Sequence, residues 1–175
     1  DQVLVAANRQ NAAVLAGYTV IVDREEGRGP LMGIAAGLAA ASSDIVFVAA
    51  CDIPFVDPAV ICTLLSYADD YDIVVPSFRP GSQEPLYGVY HRTVAPAIDL
   101  LLGEGIGKVS ALFERCSTKV VAMDDGGKYA NVNTPEEYRM YSDKNHLTTV
   151  PIEFTEHEPK KRSANKNNTD SKGMV

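Results

Sequence analysis

Ile45-Val46-Phe47-Val48-Ala49-Ala50-Cys51-Asp52-Ile53-Pro54 is the stretch on which the fold turns. Its unbroken apolar and small run reads as a strand buried on both faces, the habit of parallel sheets in α/β proteins. Ligands of such sheets bind outside the carboxyl ends of the strands. Asp52 therefore stands where a ligand would be, and Pro54 keeps the strand from simply continuing. A lone carboxylate in that place suits Mg2+ carrying a substrate phosphate, because Mg2+ takes one or two carboxylates and keeps waters. The structural role open to the same residue is a helix N-cap.

Working outward, Val3–Ala7 and Thr19–Val22 read as short strands that end at Asn8-Arg9 and at Asp23. Gly33–Ala41 is rich in small residues and suits a helix packed closely on a sheet. Asp57-Pro58 opens a helix to about Ala68, with Asp57 as N-cap and Pro58 in its first position. Asp72–Pro76 and Lys119–Met123 are further strands, and Leu86–Tyr90 alternates as a half-exposed strand would. Val94–Leu102 and Val109–Arg115 look helical. Thr134-Pro135-Glu136-Glu137 starts a last helix as a capping box. Strands and helices alternating at this spacing predict a doubly wound, mostly parallel sheet.

A chain of 175 residues with 46% hydrophobic and 22% charged residues is expected to form one domain with a real core. No apolar run reaches the ~20 residues of a membrane span, and no signal-peptide pattern opens the sequence, so a cytoplasmic location is expected. Cys51, Cys62 and Cys116 match no zinc or CxxC spacing and read as reduced structural thiols. From His146 onward lie five of the 16 Lys/Arg and four of the 23 Asp/Glu, which leaves 11 against 19, a net −8, for the rest. So acidic a body argues against nucleic-acid binding. It does not exclude a small anionic substrate, which a metal ion and backbone N–H groups can hold. The expected organisation is a domain over residues 1–145 and a mostly disordered tail or linker over 146–175, where Lys160-Lys161-Arg162 runs into polar residues.

Neither GxxxxGK[ST] nor GxGxxG occurs. Gly27-Arg28-Gly29-Pro30-Leu31-Met32-Gly33 is a glycine loop running into a helix. It allows close backbone approach, though Gly-Pro is also ordinary punctuation. In Tyr129-Ala130-Asn131-Val132-Asn133-Thr134-Pro135-Glu136-Glu137 the period of two places Asn131 and Asn133 on one side before a helix. The two amides can bind a polar substrate or a metal's waters, or merely cap the loop. His91, His146 and His157 form no pair at ligand spacing. Asp124-Asp125-Gly126-Gly127 reads as a tight turn, and Tyr87, Tyr90, Tyr138 and Tyr141 as packing.

Taken in order, Asn8-Arg9, Asp23, Gly29-Pro30-Leu31-Met32-Gly33-Ile34, Cys51-Asp52-Ile53-Pro54-Phe55, Glu84-Pro85-Leu86-Tyr87 and Asn131-Val132-Asn133-Thr134-Pro135-Glu136-Glu137 resemble the molybdenum cofactor guanylyltransferases. The resemblance runs from about Val3 to Tyr141. It implies a Rossmann-like nucleotidyltransferase fold, a three-layer sandwich, and transfer of GMP from GTP to molybdopterin with release of pyrophosphate. By resemblance Asp52 binds Mg2+ and the GTP phosphates. Asn8, Asp23, Gly29, Pro30 and Gly33 belong to the nucleotide site, and Asn131 and Asn133 face the reacting phosphate or the pterin. GTP, molybdopterin and other molybdenum cofactor biosynthesis proteins are the implied partners. Such transfer needs positioning and charge neutralisation more than a protein nucleophile.

The sequence departs from the family in two ways. The family's Leu-Ala-Gly-Gly strand and loop, Arg-Met-Gly segment and triphosphate lysine are not found in it, and Ala6 stands where an asparagine is often placed. On that reading residues 1–175 lack the first strand and loop and alone transfer little or nothing. Transfer of CMP to the same pterin, another nucleotidyl transfer, and non-catalytic binding of the pterin cofactor are the alternatives.

Overall fold

A computed structural model describes residues 2–8, 15, 17–22, 27–124, 129 and 131–145. Among the described residues the strands are β1 (Leu4–Ala7), β2 (Thr19–Val22), β3 (Ile45–Ala49), β4 (Ile73–Ser77), β5 (Tyr87–His91) and β6 (Thr118–Ala122). The α-helices among them are α1 (Pro30–Ala40), α2 (Pro58–Leu65), α3 (Ala95–Gly103) and α4 (Pro135–Asn145). The Val109–Glu114 segment forms a 3-10 helix, as does the short turn Arg92–Val94.

β1 and β2 pair in parallel, while β3-β5-β4-β6 form a second sheet in that order. β5 runs antiparallel to both β3 and β4, and β4 and β6 are parallel. The α/β class therefore holds, with β5 as the one reversed strand among the described residues. Two expectations are corrected. β3 is half-buried at one side of its sheet among the described residues, whereas Tyr87, Gly88, Val89 and Tyr90 of β5 are buried. A strand rich in tyrosine can be buried because its hydroxyls are used. Tyr87 Oη accepts from the N–H of Asp57 at 2.8 Å, and Tyr90 Oη donates to the carbonyl of Pro85 at 2.5 Å.

α1 joins the two sheets. Leu31, Ile34 and Leu38 enter a core shared with Ile73, Val75, Tyr90, Ile98 and Leu112, with Val46 and Val48 packed on it. On the same helix a Cβ at Gly33 would stand 3.6 Å from the Cβ of Ala6, so the helix lies close on β1. Gln2 Oε1 accepts from the N–H and hydroxyl of Ser42 at 2.9 and 3.0 Å, which sets the starts of β1 and β3 side by side. On the other face Ile53, Val60, Leu64, Val74 and Val89 form a second core. The capping expectations hold. Ala59 N–H donates to Asp57 Oδ1 at 2.9 Å, and Glu137 N–H to Thr134 Oγ1 at 3.1 Å, with Glu137 Oε2 accepting from Thr134 N–H at 3.2 Å. Among the described residues no helix is long and apolar enough to cross a membrane. The three cysteines are free, and Cys51 and Cys62 are exposed.

Candidate active site at the carboxyl edge of the sheet

β3, β4 and β6 all point one way, and antiparallel β5 begins where they end. One edge of the sheet therefore collects the residues after Ala49, after Ser77 and after Ala122 together with those before Tyr87. Backbone bonds knit that edge. Ala50 N–H donates to Leu86 carbonyl at 2.9 Å, Glu84 N–H to Pro76 at 3.1 Å and Met123 N–H to Ser77 at 3.0 Å.

Asp52 lies on this edge, half-buried. Among the described residues its Oδ1 is shielded from solvent and accepts no hydrogen bond. A carboxylate oxygen left so is costly unless a cation or donor completes it. No group of three or more His, Cys, Asp or Glu gathers among the described residues. Among the described residues no closed protein cage therefore surrounds Asp52, which suits Mg2+ with waters and phosphate oxygens rather than zinc or an all-protein calcium cage.

The Asn131–Asn133 segment comes to Asp52 through the backbone. Val132 N–H donates to the Asp52 carbonyl at 2.8 Å, and the two asparagines flanking Val132 are exposed. Just upstream, Tyr129 Oη donates to Glu84 Oε2 at 2.9 Å. Its ring lies 4.6 Å from Phe78, tilted by 31°, and meets Tyr87 edge-on at 5.5 Å. Burial pushes the Tyr129 hydroxyl well above its ordinary value, and the carboxylates of Glu84 and Asp52 add to the rise.

The glycine loop stands on the same edge. Gly29, with φ +79°, precedes α1, and Leu31 N–H donates to the Gly107 carbonyl at 3.2 Å. The Arg28 guanidinium donates to the carbonyl of Leu102. Gly29, Pro30, Pro85, Leu86, Lys108 and Ser110 line a mainly apolar cavity of about 390 Å³. Leu86 ties that cavity to the end of β3, since its carbonyl takes the N–H of Ala50. A polar cavity of about 270 Å³ lies at the opposite edge, by Asp72 and His91. There Asp72 is already used, accepting from Thr93 Oγ1 at 2.5 Å and Ser117 N–H at 3.1 Å, so that cavity is a cap of strand ends.

Of the residues singled out in the sequence, Asp52, Asn131, Asn133, Gly29 and Pro30 thus share one edge. Asn8 follows β1 and is half-buried. Gly33 packs on Ala6 and is not among the residues lining the cavity. Asp23, Arg9, Asp125-Gly126-Gly127 and the tail from 146 lie outside the described residues. Sequence reasoning gave no role to Glu84, Tyr129 or Ser110. The first two stood inside quoted motifs, but only the fold brings them together.

The model of the MobA-like NTP transferase domain matches residues 1–120. A molybdenum cofactor guanylyltransferase of Desulfosudis oleivorans is 32% identical over 145 residues, 78% of this chain and 71% of that protein. In fold, the molybdopterin-guanine dinucleotide biosynthesis protein A of Archaeoglobus fulgidus superposes with a TM-score of 0.69 at 23% identity, over 83% of this chain and 79% of that one. A Mycobacterium tuberculosis protein solved in complex with manganese superposes with a TM-score of 0.57 at 20% identity, over 82% and 78% of the two chains.

Proposed function

This chain belongs to the MobA-like NTP transferase family, and we propose that it transfers GMP from GTP to molybdopterin, yielding the guanine dinucleotide and pyrophosphate. A phosphate oxygen of the pterin attacks the α-phosphorus of GTP, and the bond to the β-phosphate oxygen breaks. The relatives' guanylyltransferase names support the reaction, and the unsatisfied Oδ1 of Asp52 at the carboxyl edge is the observation that carries it.

In this reading Asp52 holds Mg2+. Bound there, the ion draws negative charge from the α-phosphate and the incoming pterin phosphate, whose mutual repulsion is the main obstacle to their approach. The donor set fits this ion, and the manganese complex of the M. tuberculosis relative shows that a related fold takes a divalent metal. Asn131 and Asn133 present amides beside Asp52 to the reacting phosphate or the pterin. Gly29 and Pro30 bring backbone close to the nucleotide, Asn8 and Asp23 complete its site, and the apolar wall of Pro85 and Leu86 excludes water. Residues 1–145 form the domain that does this work, in the cytoplasm, and other proteins of molybdenum cofactor biosynthesis are its partners.

Asp52→Asn tests the assignment, because an amide carries no charge to hold Mg2+ against two phosphates. In the purified protein transfer should fall by about a thousandfold or more, the order of several kcal/mol of lost charge stabilisation, with the fold kept. Activity within a few-fold of the parent would remove Asp52 from the metal site.

A further inference from the structure

We infer that Tyr129 is a positioning residue, whose hydroxyl bond to Glu84 holds the Asn131–Asn133 segment over Asp52. The inference rests on the transfer reading for its catalytic consequence, but the tie itself is independent of that reading. Two hydrogen bonds pin the segment to the sheet edge. One is backbone, from Val132 N–H to the Asp52 carbonyl. The other is the side-chain bond from Tyr129 to Glu84 at 2.9 Å.

Glu84 is well suited as an anchor. Its N–H is held by Pro76 and its carbonyl accepts from Tyr87 N–H at 3.0 Å, so both its peptide groups belong to the ends of β4 and β5. The Tyr129 ring is held between Phe78 and Tyr87. The hydroxyl is therefore aimed by packing and fixed by a charge-assisted bond, the stronger kind. Burial, helped by the neighbouring carboxylates, keeps it protonated and so a donor across the physiological range. The two asparagines of the segment it anchors are exposed. Without the bond they would sample positions away from Asp52, and a misplacement of about 1 Å is enough to slow transfer markedly.

Amide hydrogen exchange at Val132, with kcat and KM measured alongside, tests this. Tyr129→Phe and Glu84→Ala should each speed Val132 exchange about tenfold or more, leaving Val74 and Val89 amides unchanged. Glu84→Gln keeps an acceptor oxygen and should restore most of the protection. The double variant should be no faster than either single one, the mark of a shared bond. In the transfer assay both losses should lower kcat about tenfold with KM for GTP within about twofold. Unchanged Val132 exchange in Tyr129→Phe would overturn the inference. So would a uniform rise across all amides, which would make the bond a matter of general stability. If the parent protein transfers no GMP at all, the functional reading falls and the exchange measurement still decides the tie.

Discussion

Gly107 lies against Arg28 with no room for a side chain. A Cβ added to Gly107 would stand 2.8 Å from the Arg28 carbonyl carbon, and nearer still to its oxygen. The pair closes the glycine loop onto the Gly105–Ser110 turn, where Leu31 N–H also meets the Gly107 carbonyl. Gly107→Ala should therefore push these backbones apart and destabilise the protein by about 1–3 kcal/mol, the usual cost of overpacking. Urea unfolding measures it. A variant as stable as the parent would mean that the loops separate freely.

Gly37 predicts the opposite sign. It sits inside α1, and nothing lies within 4 Å of an added Cβ. Gly37→Ala should stabilise the protein by about 0.5–1 kcal/mol, because alanine loses less backbone freedom on entering a helix. Thermal unfolding of the two glycine variants side by side should move Tm in opposite directions.

Loss of the Asp57 cap should cost about 1 kcal/mol, since Asp57→Ala leaves the Ala59 N–H at the start of α2 without its acceptor. Asp57→Asn should recover most of that. Equal stability of the alanine variant and the parent would show that water replaces the cap without loss.

The buried tyrosines set an alkaline limit. Desolvation raises the hydroxyls of Tyr87, Tyr90 and Tyr129 above the ordinary 10, and Tyr129 gains further from Glu84. The folded chain thus holds these protons more tightly than the unfolded one. Their contribution is complete below about pH 10 and is lost as pH rises through that value toward the raised native ones. Urea midpoints should be level from pH 8 to about 9.5 and fall above it. Tyr90→Phe should flatten that fall, at a cost of about 1 kcal/mol at neutral pH for the lost bond to Pro85. Midpoints independent of pH up to 11 would contradict the burial of these hydroxyls.

Local signals in the sequence were enough for several elements. The Asp57-Pro58 start and the Thr134/Glu137 box each rest on contacts within a few residues, and each folds as read. Strand direction is not local. Nothing in Leu86–Tyr90 says that it enters between β3 and β4 head to tail, and the strand looked half-exposed because the partners of its tyrosine hydroxyls, Pro85 carbonyl and Asp57 N–H, depend on the folded backbone. The same limit hid the site's second half. Glu84 and Tyr129 are far apart in sequence, and Gly107 meets Arg28 only once α1 and α3 have packed.

Nucleotide choice tests the central claim most directly. The purified protein, supplied with Mg2+, molybdopterin and α-labelled GTP, CTP or UTP in parallel, should move label from GTP into a pterin dinucleotide and release one pyrophosphate for each transfer. CTP or UTP should do so at a small fraction of that rate. Faster transfer from CTP, or pyrophosphate release without label reaching the pterin, would contradict guanylyl transfer to molybdopterin as the activity of this chain.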